Sequence, residues 1–170
     1  MEEGIINRVA NSELVTIDLT DYVPTTPISE FDIKNLLFNG IVLKEKDFRK
    51  SLKEFDFSIY KNTIVALHCS ADAIVPMWAF MLITSYLQTA NTDVYYGKKE
   101  DVFLKLFTEN IDNINSLDYE NKKVIVKGCG QIQLNECLYI AITKKLQNKV
   151  SSLMFGEACS AVPVFKKSKI

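Results

Sequence analysis

The chain has 170 residues and a mass of 19.3 kDa, with 48% hydrophobic, 11% aromatic and 24% charged residues, the content of an ordinary globular protein with one sizeable core. Twenty Lys plus Arg against twenty-one Asp plus Glu leave a net charge of −1, so no global field draws the chain to nucleic acid or to an anionic membrane. Four cysteines, Cys69, Cys129, Cys137 and Cys159, are too few and too widely spaced for a disulfide-stapled scaffold.

Met1 to Arg8 is acidic and lacks the basic start and apolar segment of a secretory signal, which points to a cytoplasmic protein with reduced thiols. Leu14-Val15-Thr16-Ile17-Asp18-Leu19 predicts a strand, and Pro24 and Pro27 mark an irregular connection after it. Asp32 is placed to cap a short helix through Phe38, ended by Asn39-Gly40. Ile41-Val42-Leu43 then leads into an amphipathic helix from about Lys44, with Phe48, Leu52 and Phe55 on one face and Arg49 as a surface ion-pair residue. Arg8, the only other arginine, has no role that spacing assigns.

Thr63 to Cys69 is a nearly unbroken apolar run rich in β-branched residues, the pattern of a parallel strand covered on both faces. Asp72 can cap the helix that follows, with Pro76 in its first turn, and that helix continues to about Leu87. Its apolar run from Ala73 to Ile83 falls short of the roughly 20 residues needed to cross a bilayer, so it reads as a buried helix. Asp93-Val94-Tyr95-Tyr96 predicts another strand, ended by Gly97 and followed by a helix from about Lys99 to Ile111. Lys123 to Lys127 is the next strand, with a helix from about Asn135 to Gln147 behind it. Ser152 to Phe155 and Val162 to Phe165 complete the strands. No linker, low-complexity tract or fixed-period repeat divides the chain, so one domain over residues 1–170 is expected. Strands alternating with helices predict an α/β three-layer sandwich, a mostly parallel sheet with helices on both faces.

Cys69, Cys129 and Cys159 each fall just past the carboxyl end of a predicted parallel strand, in loops rich in Gly, Ser and Ala. In one parallel sheet those ends share the edge where open α/β folds bind ligands, so three thiols distant in sequence are expected to converge. Thiolates suit zinc or an iron–sulfur cluster, and three of them leave one coordination position for water, substrate or a further ligand. His68, Asp72 and Glu157 are the candidates for that ligand or for a general base, His68 sharing a metal with Cys69 only if the strand ends at His68. Cys137 lies instead beside Leu138, Ile140, Ala141 and Ile142 and is expected to pack in the core. A cysteine-dependent enzyme, with one loop thiol as nucleophile and His68 or Glu157 as base, is the first alternative. A non-catalytic homodimer, joined through the apolar Ile74 to Leu87 helix or the Tyr95-Tyr96 edge, is the second. Gly-Cys-Gly at 128–130 is no phosphate loop, which leaves nucleotide binding without support.

Asn7-Arg8-Val9-Ala10, Leu43 to Arg49, Cys69 to Ile74, Val126-Lys127-Gly128-Cys129 and Met154 to Ser160 carry a resemblance over nearly the whole chain. In these stretches the sequence resembles an uncharacterised bacterial family, known only as a domain of unknown function, whose members carry the three loop cysteines. The family has no established reaction. Its loose association with iron–sulfur assembly implies iron–sulfur chemistry at the three cysteines and assembly proteins as partners; residue spacing itself does not choose iron over zinc.

Overall fold

A computed structural model describes residues 14–128 and 134–168. Over these described residues it is an α/β protein with four helices and two mostly parallel sheets. The strands are β1 (Leu14–Asp18), β2 (Ile28–Asp32), β3 (Ile64–His68), β4 (Asp93–Tyr96), β5 (Lys123–Lys127), β6 (Ser152–Phe155) and β7 (Val162–Lys166). The helices are α1 (Glu45–Glu54), α2 (Met77–Thr89), α3 (Lys99–Asp112) and α4 (Glu136–Leu146). The expected single sheet is corrected to two, of order β1-β5-β6-β7 and β2-β3-β4, because β5 takes the N-terminal β1 as its parallel neighbour rather than β4.

The chain forms two compact units, one of Met1–Val23 with Leu106–Ile170 and the other of Pro24–Lys105. They are called here the outer and the inner unit, after their order in the chain. The boundaries fall at Val23–Pro24 and within α3, so neither is a linker that composition could reveal.

In the inner unit β2, β3 and β4 are all parallel. Phe31, Val65 and Leu67 point to one face, where they pack with Phe48 and Leu52 of α1 and Ala79, Ile83 and Leu87 of α2. The opposite face presents Glu30, Ala66, His68 and Tyr95 by strand alternation. The start of α3 covers it: the Lys99 amide lies 3.4 Å from Glu30 Oε1, and Lys105 Nζ sits 4.7 Å over the Tyr95 ring. This unit is the expected three-layer arrangement in small. Strand β2 occupies the region read as an irregular connection, because Pro27 ends just before it and its central residues alternate about Phe31.

In the outer unit β1, β5 and β6 are parallel and β7 returns antiparallel to β6. The register of β6 and β7 breaks between Leu153 and Met154, opposite Pro163, which has no N–H to donate. The buried positions are Val124, Ile125 and Val126 of β5, Leu138, Ile142 and Leu146 of α4, and Phe107 and Ile111 of α3.

The expectation of no repeat is also corrected. Shifted by 59 residues, the inner unit maps onto the outer one from α1 to the glycine after β4. Buried Phe48 and Leu52 correspond to Phe107 and Ile111, and Ile83 and Leu87 to Ile142 and Leu146. Asn62 and Asn121 take the same left-handed turn, φ 62° and 58°, before β3 and β5. Thr84 and Thr143 each donate to the carbonyl four residues back, at 2.8 and 2.7 Å. Gly97 and Gly156 end β4 and β6 at φ 133° and 110°, their amides bonding Leu67 and Val126 carbonyls at 3.1 and 3.0 Å. The leading strands match too: β1 and β2 both end in an aspartate, Asp18 and Asp32, whose carboxylate caps a 3-10 turn.

Candidate functional site

The carboxyl edge of the inner sheet carries His68, Cys69 and Asp72 of the side chains singled out above; Glu157 and Cys159 follow β6 in the other sheet, so Cys69 and Cys159 do not share the edge of one sheet as expected. Strand pairing sets Asp32 beside His68 in register, and alternation puts Glu30 on the same face of β2. His68 Nε2 lies 3.5 Å from Glu30 Oε1, and the imidazole is only 14% exposed. Its Nδ1 is buried and has no hydrogen-bond partner among the described residues. A buried nitrogen left in this state costs free energy until something fills it.

Asp32 ties the loop after β3 to β2. Its Oδ1 accepts from the Ser70 amide at 3.0 Å and from the Lys34 amide at 3.0 Å, and its Oδ2 accepts from the Ser70 hydroxyl at 2.5 Å. Burial pushes the Asp32 carboxyl up, but these donors and the nearby His68 charge outweigh it and hold the group below the usual carboxylate range. Ser70 is therefore bound to a carboxylate acceptor that anchors its loop.

Strand β3 ends at His68, the condition for Cys69 to leave the alternating pattern of the strand. The Cys69 thiol is half-buried against the apolar core, Sγ 3.7 Å from the Ala71 carbonyl. Asp72 is exposed and does not cap α2: that helix begins at Met77 with Pro76 as its cap residue, four positions beyond Asp72. Cys137 is corrected as well, being exposed rather than in the core. The apolar face of α4 runs through Leu138, Ile142 and Leu146, and Cys137, one residue before Leu138, lies about 100° round the helix from it.

The outer unit carries its own residues of this kind. Cys159 and Glu157 are exposed in the turn between β6 and β7, where the Ser160 amide bonds the Glu157 carbonyl at 2.9 Å. Cys159 Sγ lies 3.9 Å from Ser160 Oγ. Cys129 and Arg8 lie outside the described residues. Arg49 is the expected surface ion-pair residue, its Nε 2.9 Å from Glu45 Oε1, with its guanidinium 5.2 Å over the Trp78 ring. At the position matching His68, the outer unit has Lys127, whose Nζ lies 3.3 Å from Asp18 Oδ2. Glu30 and Asp32 were missed as partners of His68 because nothing in their spacing shows that β2 exists.

Among the described residues no three His, Cys, Asp or Glu side chains form a group that could hold a metal ion, and no helix is long and apolar enough to cross a membrane.

Fold and site together define an α/β protein of two repeated, mostly parallel sheet units with a histidine beside a carboxylate at the carboxyl edge of one of them. The chain belongs to the family described as protein of unknown function (DUF2480), whose model matches residues 3–167. No match is found among curated proteins or among solved structures.

Proposed function

We propose that this chain binds a metal centre, zinc or an iron–sulfur cluster, at the carboxyl edge of the inner sheet, with His68 and Cys69 as its candidate ligands. The observation that carries the reading is the state of His68. A metal-ligating histidine characteristically gives its other ring N–H to a carboxylate, which fixes the tautomer and raises the basicity of the free nitrogen. Here Glu30 stands at Nε2 and Nδ1 has no partner. Incomplete coordination by the protein suits a centre that is passed on, so the role we assign is metal or cluster assembly or transfer, with assembly proteins as partners.

The test is metal analysis of protein purified without oxygen from iron- and zinc-replete cells, followed by titration with Co²⁺ as a spectroscopic probe. Bound metal and a thiolate-to-cobalt absorption band, both reduced in H68A and C69S, are the expected result. C129S and C159S, titrated in the same way, are the comparison for the effect of C69S. Metal-free protein with no band overturns the reading. If, in addition, one cysteine of that protein is alkylated rapidly at mildly acid pH, the cysteine-dependent enzyme takes its place.

A further inference from the structure

The repeat places the same groove in both units, and only one copy has its full set of walls. In the inner unit a groove of about 510 Å³ between α2 and β4 is lined by Leu67, Phe80, Thr84, Val94 and Tyr96. The matching residues, Val126, Tyr139, Thr143, Leu153 and Phe155, line a groove of about 280 Å³ in the outer unit. The aromatic pairs correspond in geometry: Phe80 and Tyr96 have centroids 5.8 Å apart at 74°, Tyr139 and Phe155 5.5 Å apart at 78°.

The difference is one strand. In the outer unit the chain turns back after Gly156, and β7 lies antiparallel on β6 and adds Val164 to the groove wall. After Gly97 the chain enters α3 at Lys99, and no described strand lies on the outer side of β4. The surface beside that edge is apolar, with Met77 75%, Met81 73% and Tyr96 79% exposed. An open strand edge in an apolar setting is a template for strand addition.

We infer that β4 pairs antiparallel with β4 of a second copy of this chain, each copy supplying the strand that β7 supplies to β6. Two-fold symmetry makes such a pairing antiparallel, the sense in which β7 meets β6. It also joins opposite charges. Asp93 begins β4 and Lys98 follows its end, both exposed, so the pairing brings the acidic start of one strand toward the basic end of the other, as end-to-end neighbours and not as a facing pair. The Met77, Met81 and Tyr96 surfaces meet their own copies at the same time. This inference is independent of the metal reading, because none of its residues is a proposed ligand.

Light scattering on the full chain over a concentration series tests it. The wild type is expected to be a dimer, and the double variant M81E/Y96K to dissociate with a constant raised at least about tenfold and an unchanged circular dichroism spectrum. D93K is expected to weaken the dimer and K98D, added to it, to restore it. A wild type that stays monomeric, or a dimer indifferent to M81E/Y96K, overturns the inference. So does a monomer that binds a synthetic Val162–Lys166 peptide at β4, because the occupant would then be an extended segment and not a second copy.

Discussion

At the end of β5 the outer unit sets Lys127 against Asp18, and at the end of β3 the inner unit sets His68 between Asp32 and Glu30. The surrounding frame is the same in both, down to the left-handed asparagine before the strand and the glycine after its neighbour. An ammonium has three donors and no lone pair while it holds its proton, so Lys127 closes its edge with an ion pair. An imidazole has two ring nitrogens, so the same position in the inner unit meets Glu30 with Nε2 and leaves Nδ1 without a hydrogen-bond partner among the described residues. The two copies share the frame and differ in the side chain that ends the central strand.

The largest effect that tests this equivalence comes from the matched core leucines. Leu87 and Leu146 are both 0% exposed, and alanine at either is expected to cost about 2–5 kcal/mol in urea unfolding. Similar losses sustain the repeat, and a loss confined to one unit breaks it. The matched glycines come next. Alanine at Gly97 or Gly156 enters a left-handed φ at about 1–2 kcal/mol, read from thermal unfolding. Gly97 is expected to be the costlier, because its new Cβ would stand 3.2 Å from Asp101 Cβ, whereas the nearest atom at Gly156 is 3.6 Å away.

The smallest effect concerns the capping aspartates. Asp32 titrates below its ordinary value, so its contribution to stability is complete above the usual carboxylate range and is lost as the pH falls through and below about 4. D32N is expected to flatten the fall of Tm with acid in that window. Asp18 is lowered too, chiefly by the Thr20 hydroxyl, so D18N should flatten it likewise. A D18N curve as steep as that of the wild type would separate the two edges further.

Most elements were readable because their apolar spacing is strong. Helix α1 shows Phe48 and Leu52 four apart, and β3 and β5 are short apolar runs whose central residues are buried. Strand β2 was not, because five residues between two prolines and an aspartate-capped turn carry too little alternation to be told from a loop. Missing β2 hid both the second sheet and the carboxylates at His68. The repeat escaped for a related reason: the positions that match are mainly apolar, and Leu67 with Val126 or Ala79 with Leu138 share burial without sharing identity. His68 and Cys69 were singled out from their place after a strand, but the orphaned Nδ1 depends on atomic neighbours that residue types alone do not reveal.

The inner unit is one continuous segment set into the chain of the outer one, and this has a consequence for the order of assembly. The parallel partner of β1 is β5, about a hundred residues further along. During synthesis, β2, β3 and β4 emerge together and can close their sheet while β1 still has no strand to bond. Strand β1, made before the strands of the inner sheet, is paired only after them, and its exposed edge in that interval is where premature association between nascent chains would begin.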